Sequence, residues 1–166
     1  MASEIGVQTI QHTNGTDAMT IDSSGRVNIP KVPAFMADMR GQGTVNSTGV
    51  LPFVNSRLDN GGNYNTTDKK FIAPIDGIYI FNYGCLVRNA TAGFQLLVNG
   101  SATSSVRTGY ADAQPSGGVT GLEIMVSGSE ILELTANDYV QVNLQYFTGQ
   151  DIYAEDISYF NGHLVG

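Results

Sequence analysis

Few side chains in this sequence could carry out catalysis. His12 lies near the amino terminus and His163 near the carboxyl terminus, and neither stands in a catalytic motif. Cys85 falls on an apolar position of a predicted strand, where a thiol behaves as a small hydrophobic side chain. The sequence contains no Gly-x-Ser-x-Gly, phosphate-loop or His-Glu-x-x-His motif. These observations predict a protein that is not an enzyme and uses no organic cofactor.

Acidic residues offer the one candidate metal site. Asp151, Glu155 and Asp156 cluster in a predicted loop near the carboxyl terminus. Carboxylate oxygens are hard ligands of the kind that calcium prefers. Their spacing does not match that of a helix-loop-helix calcium site, so a solvated acidic loop is the alternative interpretation.

Aromatic residues beside predicted loops form a candidate ligand surface. Tyr110, Phe147 and Tyr153 have Asn and Asp residues nearby in the sequence. Exposed rings in such surroundings could stack on the faces of sugars. The alternative is that each ring packs beneath its own loop or at a seam between subunits.

Composition excludes several classes of protein. The chain has 166 residues, of which 15 are acidic and eight basic, so its net charge is −7. That balance leaves no broad basic surface for nucleic acid. No apolar run approaches the ~20 residues that a membrane span needs. We also expect no secretion signal, because the amino terminus lacks a basic start followed by a hydrophobic stretch.

Strand patterns run through most of the sequence. Between Gly77 and Val87 the large apolar residues alternate, at Tyr79, Phe81, Tyr83, Cys85 and Val87. Ile78 and Ile80 fall on the opposite face, which must therefore be covered by a second sheet or another subunit. No segment has apolar residues at helical spacing with caps at both ends. The pattern predicts an all-β fold.

The first 32 residues differ from the rest. They contain turn signals such as Asn14-Gly15 and few large side chains. Isolated hairpins are marginal in water, so we expect this arm to pair with copies of itself or with another protein. Pro30 and Pro33 bracket an extended linker, so we place the boundary between an amino-terminal attachment arm (1–32) and a domain (33–166) there. The predicted anchoring residues of the arm are Ile5, Val7, Ile10, Met19, Ile21, Val27 and Ile29.

The domain carries several motifs in one order. The most specific is Phe71-Ile72-Ala73-Pro74-Ile75-Asp76-Gly77-Ile78-Tyr79-Ile80-Phe81, and the chain ends in Tyr159-Phe160-Asn161-Gly162-His163-Leu164. From Pro33 onward the sequence resembles the globular head of the complement component 1q family, a branch of the tumour-necrosis-factor-like jelly rolls. One departure is Asn137-Asp138, where the family has Gly-Asp.

This resemblance implies a two-sheet antiparallel jelly-roll sandwich that forms a homotrimer. It also implies which residues fill the core or the contact between subunits. These are Phe35, Phe53, Tyr64, Phe71, Ile78, Tyr79, Ile80, Phe81 and Phe160.

The arm carries a second resemblance. The leader Ser3-Glu4-Ile5-Gly6-Val7-Gln8-Thr9-Ile10, followed by residues 16–27, looks like the start of small tail-fibre or capsid-associated proteins of tailed bacteriophages. This implies a trimeric virion structural protein, made in the host cytoplasm and located on the virion surface, where it decorates the capsid or forms a short fibre. The arm would bind other virion proteins, and the jelly roll would stabilise the particle or attach it to a host-surface glycan. The alternative is a secreted, lectin-like binding module of the same family that binds a glycan or a protein.

Overall fold

Strands are the only regular secondary structure in the residues that this computed structural model describes, 6–102, 109–112 and 121–166. Among these residues no helix is long and apolar enough to cross a membrane. The chain divides into two compact units, Met1–Val32 and Pro33–Gly166.

The first unit contains a three-stranded antiparallel sheet in the order β1-β2-β3. Its strands are short, and the turns between them use Gly15 and Gly25, whose φ angles are 84° and 77°. The strands are β1 (Thr9–Gln11), β2 (Asp17–Ile21) and β3 (Val27–Asn28).

The second unit contains twelve strands in the described residues, all paired antiparallel. They are β4 (Ala34–Asp38), β5 (Gly43–Val45), β6 (Gly49–Val50), β7 (Asn55–Asn60), β8 (Tyr64–Asn65), β9 (Lys70–Ile72), β10 (Gly77–Val98), β11 (Ser101–Ala102), β12 (Gly109–Asp112), β13 (Glu123–Leu134), β14 (Tyr139–Ala154) and β15 (Tyr159–Leu164).

Two sheets share the long strand β10. Its first half pairs with β13 on one side and β15 on the other, and β15 continues to β4 and β7, which gives the first sheet. Its second half pairs with β14 on one side and with β11 and β12 on the other. The far side of β14 pairs with β5, β6 and β9, which completes the second sheet with β8. The predicted all-β, two-sheet antiparallel jelly roll is confirmed.

The passage of β10 from one sheet to the other occurs at Asn89. Before it the buried hydrophobic residues are odd-numbered, from Tyr79 to Val87, and after it they are even-numbered, from Ala90 to Leu96. Asn89 has a φ of 44°, a left-handed conformation that Asn tolerates better than most residues. This one irregular residue therefore keeps apolar side chains pointing into the same core from both sheets.

Aromatic rings fill the core between the sheets. Phe35 stacks on Tyr64 and on Phe71 with ring centroids 4.8 Å apart, and it meets Phe160 edge-on at the same distance. The buried hydroxyl of Tyr64 donates a hydrogen bond of 2.8 Å to the Phe53 carbonyl, which satisfies its polar end. Of the predicted core or trimer residues, seven are buried within one chain: Phe35, Phe53, Tyr64, Phe71, Tyr79, Phe81 and Phe160.

The two remaining residues of that set face outward. Ile78 is 46% exposed, and Ile80 is partly buried. Both lie on the even-numbered face of β10, opposite the core side chains. Asn137, where the family has glycine, has a φ of 76°, so it takes the left-handed turn conformation that glycine adopts most easily.

Glycines stand directly across the strands from several large rings. A Cβ atom on Gly128 would lie 2.5 Å from the Tyr83 ring, and one on Gly162 would lie 2.5 Å from the Phe81 ring. Each glycine is the register partner of the residue whose ring it accommodates. The rings therefore occupy the space that a second side chain would need.

Replacing Gly128 with alanine should destabilise the domain by about 1–3 kcal/mol, because the new methyl group overlaps the Tyr83 ring. The three nearest atoms that this methyl group would meet belong to the outer part of the Tyr83 ring, so the penalty should largely disappear in a Tyr83→Leu background. Urea unfolding of the four proteins of this double-mutant cycle measures the coupling. An equal penalty in both backgrounds would contradict the steric explanation.

Candidate functional site

The outer face of the first sheet is apolar. Ile80 and Ile131 are register partners on β10 and β13, and Ile131 is 69% exposed. Ile78 and Met125 point to the same side, because register partners and every second residue of a strand share a face. At the other end of the sheet Leu58 on β7 is 53% exposed. We call Leu58, Met36, Ile78, Ile80, Met125 and Ile131 the apolar face.

Two amide side chains lie on the same face as the apolar residues. Asn82 donates a hydrogen bond of 3.1 Å to Asn161 across the strands, so these two amides satisfy one another. His163 lies beside Ile80 in the register. Glu133 on β13 is the register partner of Ile78 and shares its face. The two amides carry no charge, so burying them avoids the cost of desolvating an ion.

The outer face of the second sheet presents two aromatic rings. Gly93 on β10 is the register partner of Tyr146 on β14 and of Tyr110 on β12, so both tyrosines share its face. They are 40% and 54% exposed. Gly93 lies between them in the register and is itself buried. We call Tyr110, Gly93 and Tyr146 the tyrosine face.

A bulge in β14 determines which rings reach that face. Gly93 pairs with Tyr146, but the next residue, Phe94, pairs with Leu144, so β14 has one extra residue there. One extra residue reverses the two faces of the strand beyond it. Tyr146 therefore turns outward, and Phe147 packs against the core.

The predicted ligand rings thus separate. Tyr110 is exposed, Phe147 is turned inward by the bulge, and the Tyr153 ring lies beneath the Arg88 guanidinium, 4.7 Å from its centroid. The ring that the sequence interpretation missed is Tyr146. It continues the apolar alternation of its strand, so nothing in the local pattern distinguishes it from a core residue.

The predicted calcium ligands do not converge. Asp151 is buried and accepts two hydrogen bonds from Arg88, at 2.7 and 2.9 Å. Glu155 accepts the backbone N–H of Gly41 at 3.0 Å, and Asp156 lies 3.4 Å from the Arg40 guanidinium. Across residues 6–102, 109–112 and 121–166 no three His, Cys, Asp or Glu side chains could hold a metal ion together. These carboxylates hold loops and strands in place, and the calcium site has no support from their geometry.

A second carboxylate is buried between strands β4 and β7. Asp38 is 1% exposed; its side chain accepts hydrogen bonds from the Arg57 guanidinium and from the Arg40 N–H. Burial opposes ionisation, but these hydrogen bonds and the two arginine charges outweigh it and lower the pKa of Asp38. The side chain of Asp38 is therefore an ionised carboxylate in the folded protein at neutral pH.

Histidine and cysteine do not meet in the described residues of the domain. His163 is exposed on the outer face of the first sheet, whereas Cys85 is buried among core side chains, and burial raises the pKa of its thiol. His12 belongs to the first unit, where its Nδ1 accepts the Asn14 N–H at 3.3 Å. The arrangement supplies a structural thiol and no Cys-His nucleophile pair.

Replacing Asp38 with asparagine should lower stability at neutral pH by about 1–3 kcal/mol, because Arg57 loses its buried partner. A lowered folded pKa contributes stability above the ordinary value of about 3.9, and that stability disappears as the pH falls through the folded value. The difference between native protein and variant should therefore shrink below about pH 4.

Urea midpoints between neutral and strongly acidic pH measure this difference. Asp156→Asn is the matched control, because its carboxylate is exposed and its arginine contacts are long, at 3.4 and 3.9 Å. A constant difference between Asp38→Asn and the native protein at every pH would contradict the assignment.

The model of the C1q domain family matches residues 34–165. Two curated relatives, complement C1q tumor necrosis factor-related protein 2 of Mus musculus and of Homo sapiens, are each 30% identical over 111 residues, or 65% of this chain. The chain spans about a third of the length of these relatives, 35% and 36%.

Solved structures share the fold of the second unit at low sequence identity. The globular domain of zebrafish complement 1qA protein aligns with a TM-score of 0.58 and 19% identity, covering 81% of this chain and 98% of that one. Murine APRIL aligns with a TM-score of 0.60 and 10% identity, covering 81% and 100%. Eiger TNF from S. frugiperda aligns with a TM-score of 0.56 and 11% identity, covering 82% and 94%.

The predicted virion role and virion-surface location are wrong. The curated relatives are mammalian proteins named for complement C1q, and they favour the binding-module alternative. The bacteriophage resemblance depended on a short arm rich in small and polar residues, where few side chains are constrained by a core. The family match covers most of the chain, which belongs to the C1q domain family.

Proposed function

We propose that this protein is a non-enzymatic, homotrimeric binding module that recognises a glycan or protein ligand. The observation that carries the proposal is the apolar face, which nothing covers within the described residues of a single chain. The C1q family membership supports both the trimer and the binding role.

Self-association through the apolar face has a physical basis. Burying exposed isoleucine, leucine and methionine side chains contributes about 25 cal/mol for each Å² removed from water. Ile131 at 69%, Leu58 at 53% and Ile78 at 46% exposure offer such area. Each chain carries a net charge of −7, so three copies repel one another unless they meet through a face of low charge. The apolar face meets that requirement.

Replacing Ile131 with glutamate should convert the trimer into monomers, because three added charges would be buried together at the contact. The single chain should still fold, since Ile131 is 69% exposed in it. Light scattering on a sizing column measures the mass, which should fall from three times to one times 17.7 kDa.

Val50→Glu is the matched control, because Val50 is 37% exposed and lies on β6 in the second sheet. It should remain trimeric. A native protein that is monomeric, or an Ile131→Glu variant that stays trimeric, would contradict this interface.

The ligand surface that we propose is the tyrosine face. It lies on the outer side of the second sheet, so it remains accessible when the outer side of the first sheet is buried. Tyrosine rings give a large contact area at a low entropic cost, and their hydroxyls reach hydrogen-bond partners. The acidic chain disfavours anionic ligands. A neutral sugar ring or an apolar protein side chain fits these properties.

An array of neutral glycans tests the ligand class, and the glycan that binds best then serves as the probe. Tyr110→Ala combined with Tyr146→Ala should weaken its affinity about tenfold, because each ring contact contributes about 0.5–1.5 kcal/mol. Tyr139→Ala is the control, since Tyr139 is the first residue of β14, away from Gly93, and its ring lies beneath Lys70. An unchanged affinity in the double variant would exclude the tyrosine face as the glycan site.

A further inference from the structure

The small sheet of the first unit has one apolar and one polar face. Ile10 pairs with Met19, and Ile21 pairs with Val27, so these four side chains share a face. Thr9, Thr20 and Asn28 are paired on the other face. We call Ile10, Met19, Ile21 and Val27 the arm face. Of the other predicted anchoring residues, Val7 precedes β1, Ile29 follows β3, and Ile5 lies outside the described residues.

The side chains of the arm face are incompletely buried. Ile10 is 45% exposed and Val27 57% exposed, while Met19 and Ile21 are partly buried. None of residues 6–32 is fully buried. A sheet of three short strands is marginal without a packed face. Apolar and polar side chains alternate along the arm strands, as they do in a sheet that packs one face against another surface.

We infer that the arm face packs against the same face of the arms of two further copies of this chain, around a threefold axis. This inference rests on the proposed homotrimer. The arm joins the domain directly at Val32-Pro33, so a trimeric domain would hold three arms together at an effective concentration in the millimolar range. For each arm face, the arms of the two other subunits are then the apolar surfaces present at the highest effective concentration.

The charge of the arm also favours packing of the arm face against the arms of other copies of this chain. Residues 6–32 contain two acidic and two basic residues, in contrast to the net charge of −7 on the whole chain. Asp22 and Arg26 neutralise each other within one arm at 2.7 Å. Backbone and side-chain hydrogen bonds from Arg26 lower the pKa of Asp22, so this carboxylate stays ionised at neutral pH. Three arms can therefore meet without the repulsion that three whole chains experience.

Single-cysteine cross-linking of the full chain tests the contact. Cys85 is buried and stays in place, so Met19→Cys adds one accessible thiol on the arm face, and Thr20→Cys adds one on the polar face. Under mild oxidation Met19→Cys should form disulfide-linked dimers at least about tenfold faster than Thr20→Cys, because only thiols near the axis approach within bonding distance. Non-reducing gels measure the rate.

A second substitution separates packing from chance collision. Val27→Asp in the Met19→Cys protein should abolish the cross-link, whereas Asn28→Asp on the polar face should preserve it. Equal rates for Met19→Cys and Thr20→Cys, or no cross-link from either, would overturn the inference. So would a Met19→Cys cross-link that persists after Val27→Asp.

The mass of the isolated domain distinguishes failure of the arm contact from failure of the proposed function. Residues 33–166 form a separate compact unit, so light scattering can be measured on them alone. A trimeric domain without cross-linked arms would overturn the arm contact and retain the homotrimer. Selective cross-linking of the full chain with a monomeric domain would support the arm contact and overturn the apolar face as the trimer interface.

Discussion

The structure depends on the continuity of β10, a single strand that belongs to both sheets. Its first half lies between β13 and β15 and its second half beside β14, so the backbone pairing of both layers is joined through one chain segment. At the left-handed residue Asn89, where the strand changes sheets, the hydrophobic core positions change from odd to even numbers. Without that shift, Phe94 and Leu96 would point away from the aromatic core.

Because the core occupies the space between the sheets, the two outer faces are free to differ. The first sheet presents isoleucine, leucine and methionine with a neutral pair of amides, which suits contact with other copies of the chain. The second sheet presents two tyrosines around a glycine, which suits a ligand. One constraint, the register of β10, thus positions both the proposed assembly surface and the proposed binding surface, on opposite sides of one sandwich.

The few charged residues mostly stabilise the chain itself. Asp38 and Asp151 are buried and paired with arginines, and the side chain of Asn99 and the Thr135 N–H lower the pKa of Asp138. This use of carboxylates explains why an acidic cluster in sequence does not become a metal site. A loop rich in Asp and Glu binds calcium only if several of its carboxylate oxygens converge on one position that the ion can occupy. Here these oxygens instead accept hydrogen bonds from arginines and a backbone N–H group.

The sequence alone determined the all-β class, the core residues of the first half of β10 and the C1q family motifs, because alternation and glycine turns are local properties. It did not determine the exchange of Tyr146 and Phe147, since a bulge appears only when two strands are paired. The sequence of the arm also led to the wrong prediction of a virion protein. Its side chains are mostly small and polar, and such residues are a weak basis for assigning a protein to a class. Which faces stay exposed depends on pairings between distant residues, and only the tertiary structure contains those pairings.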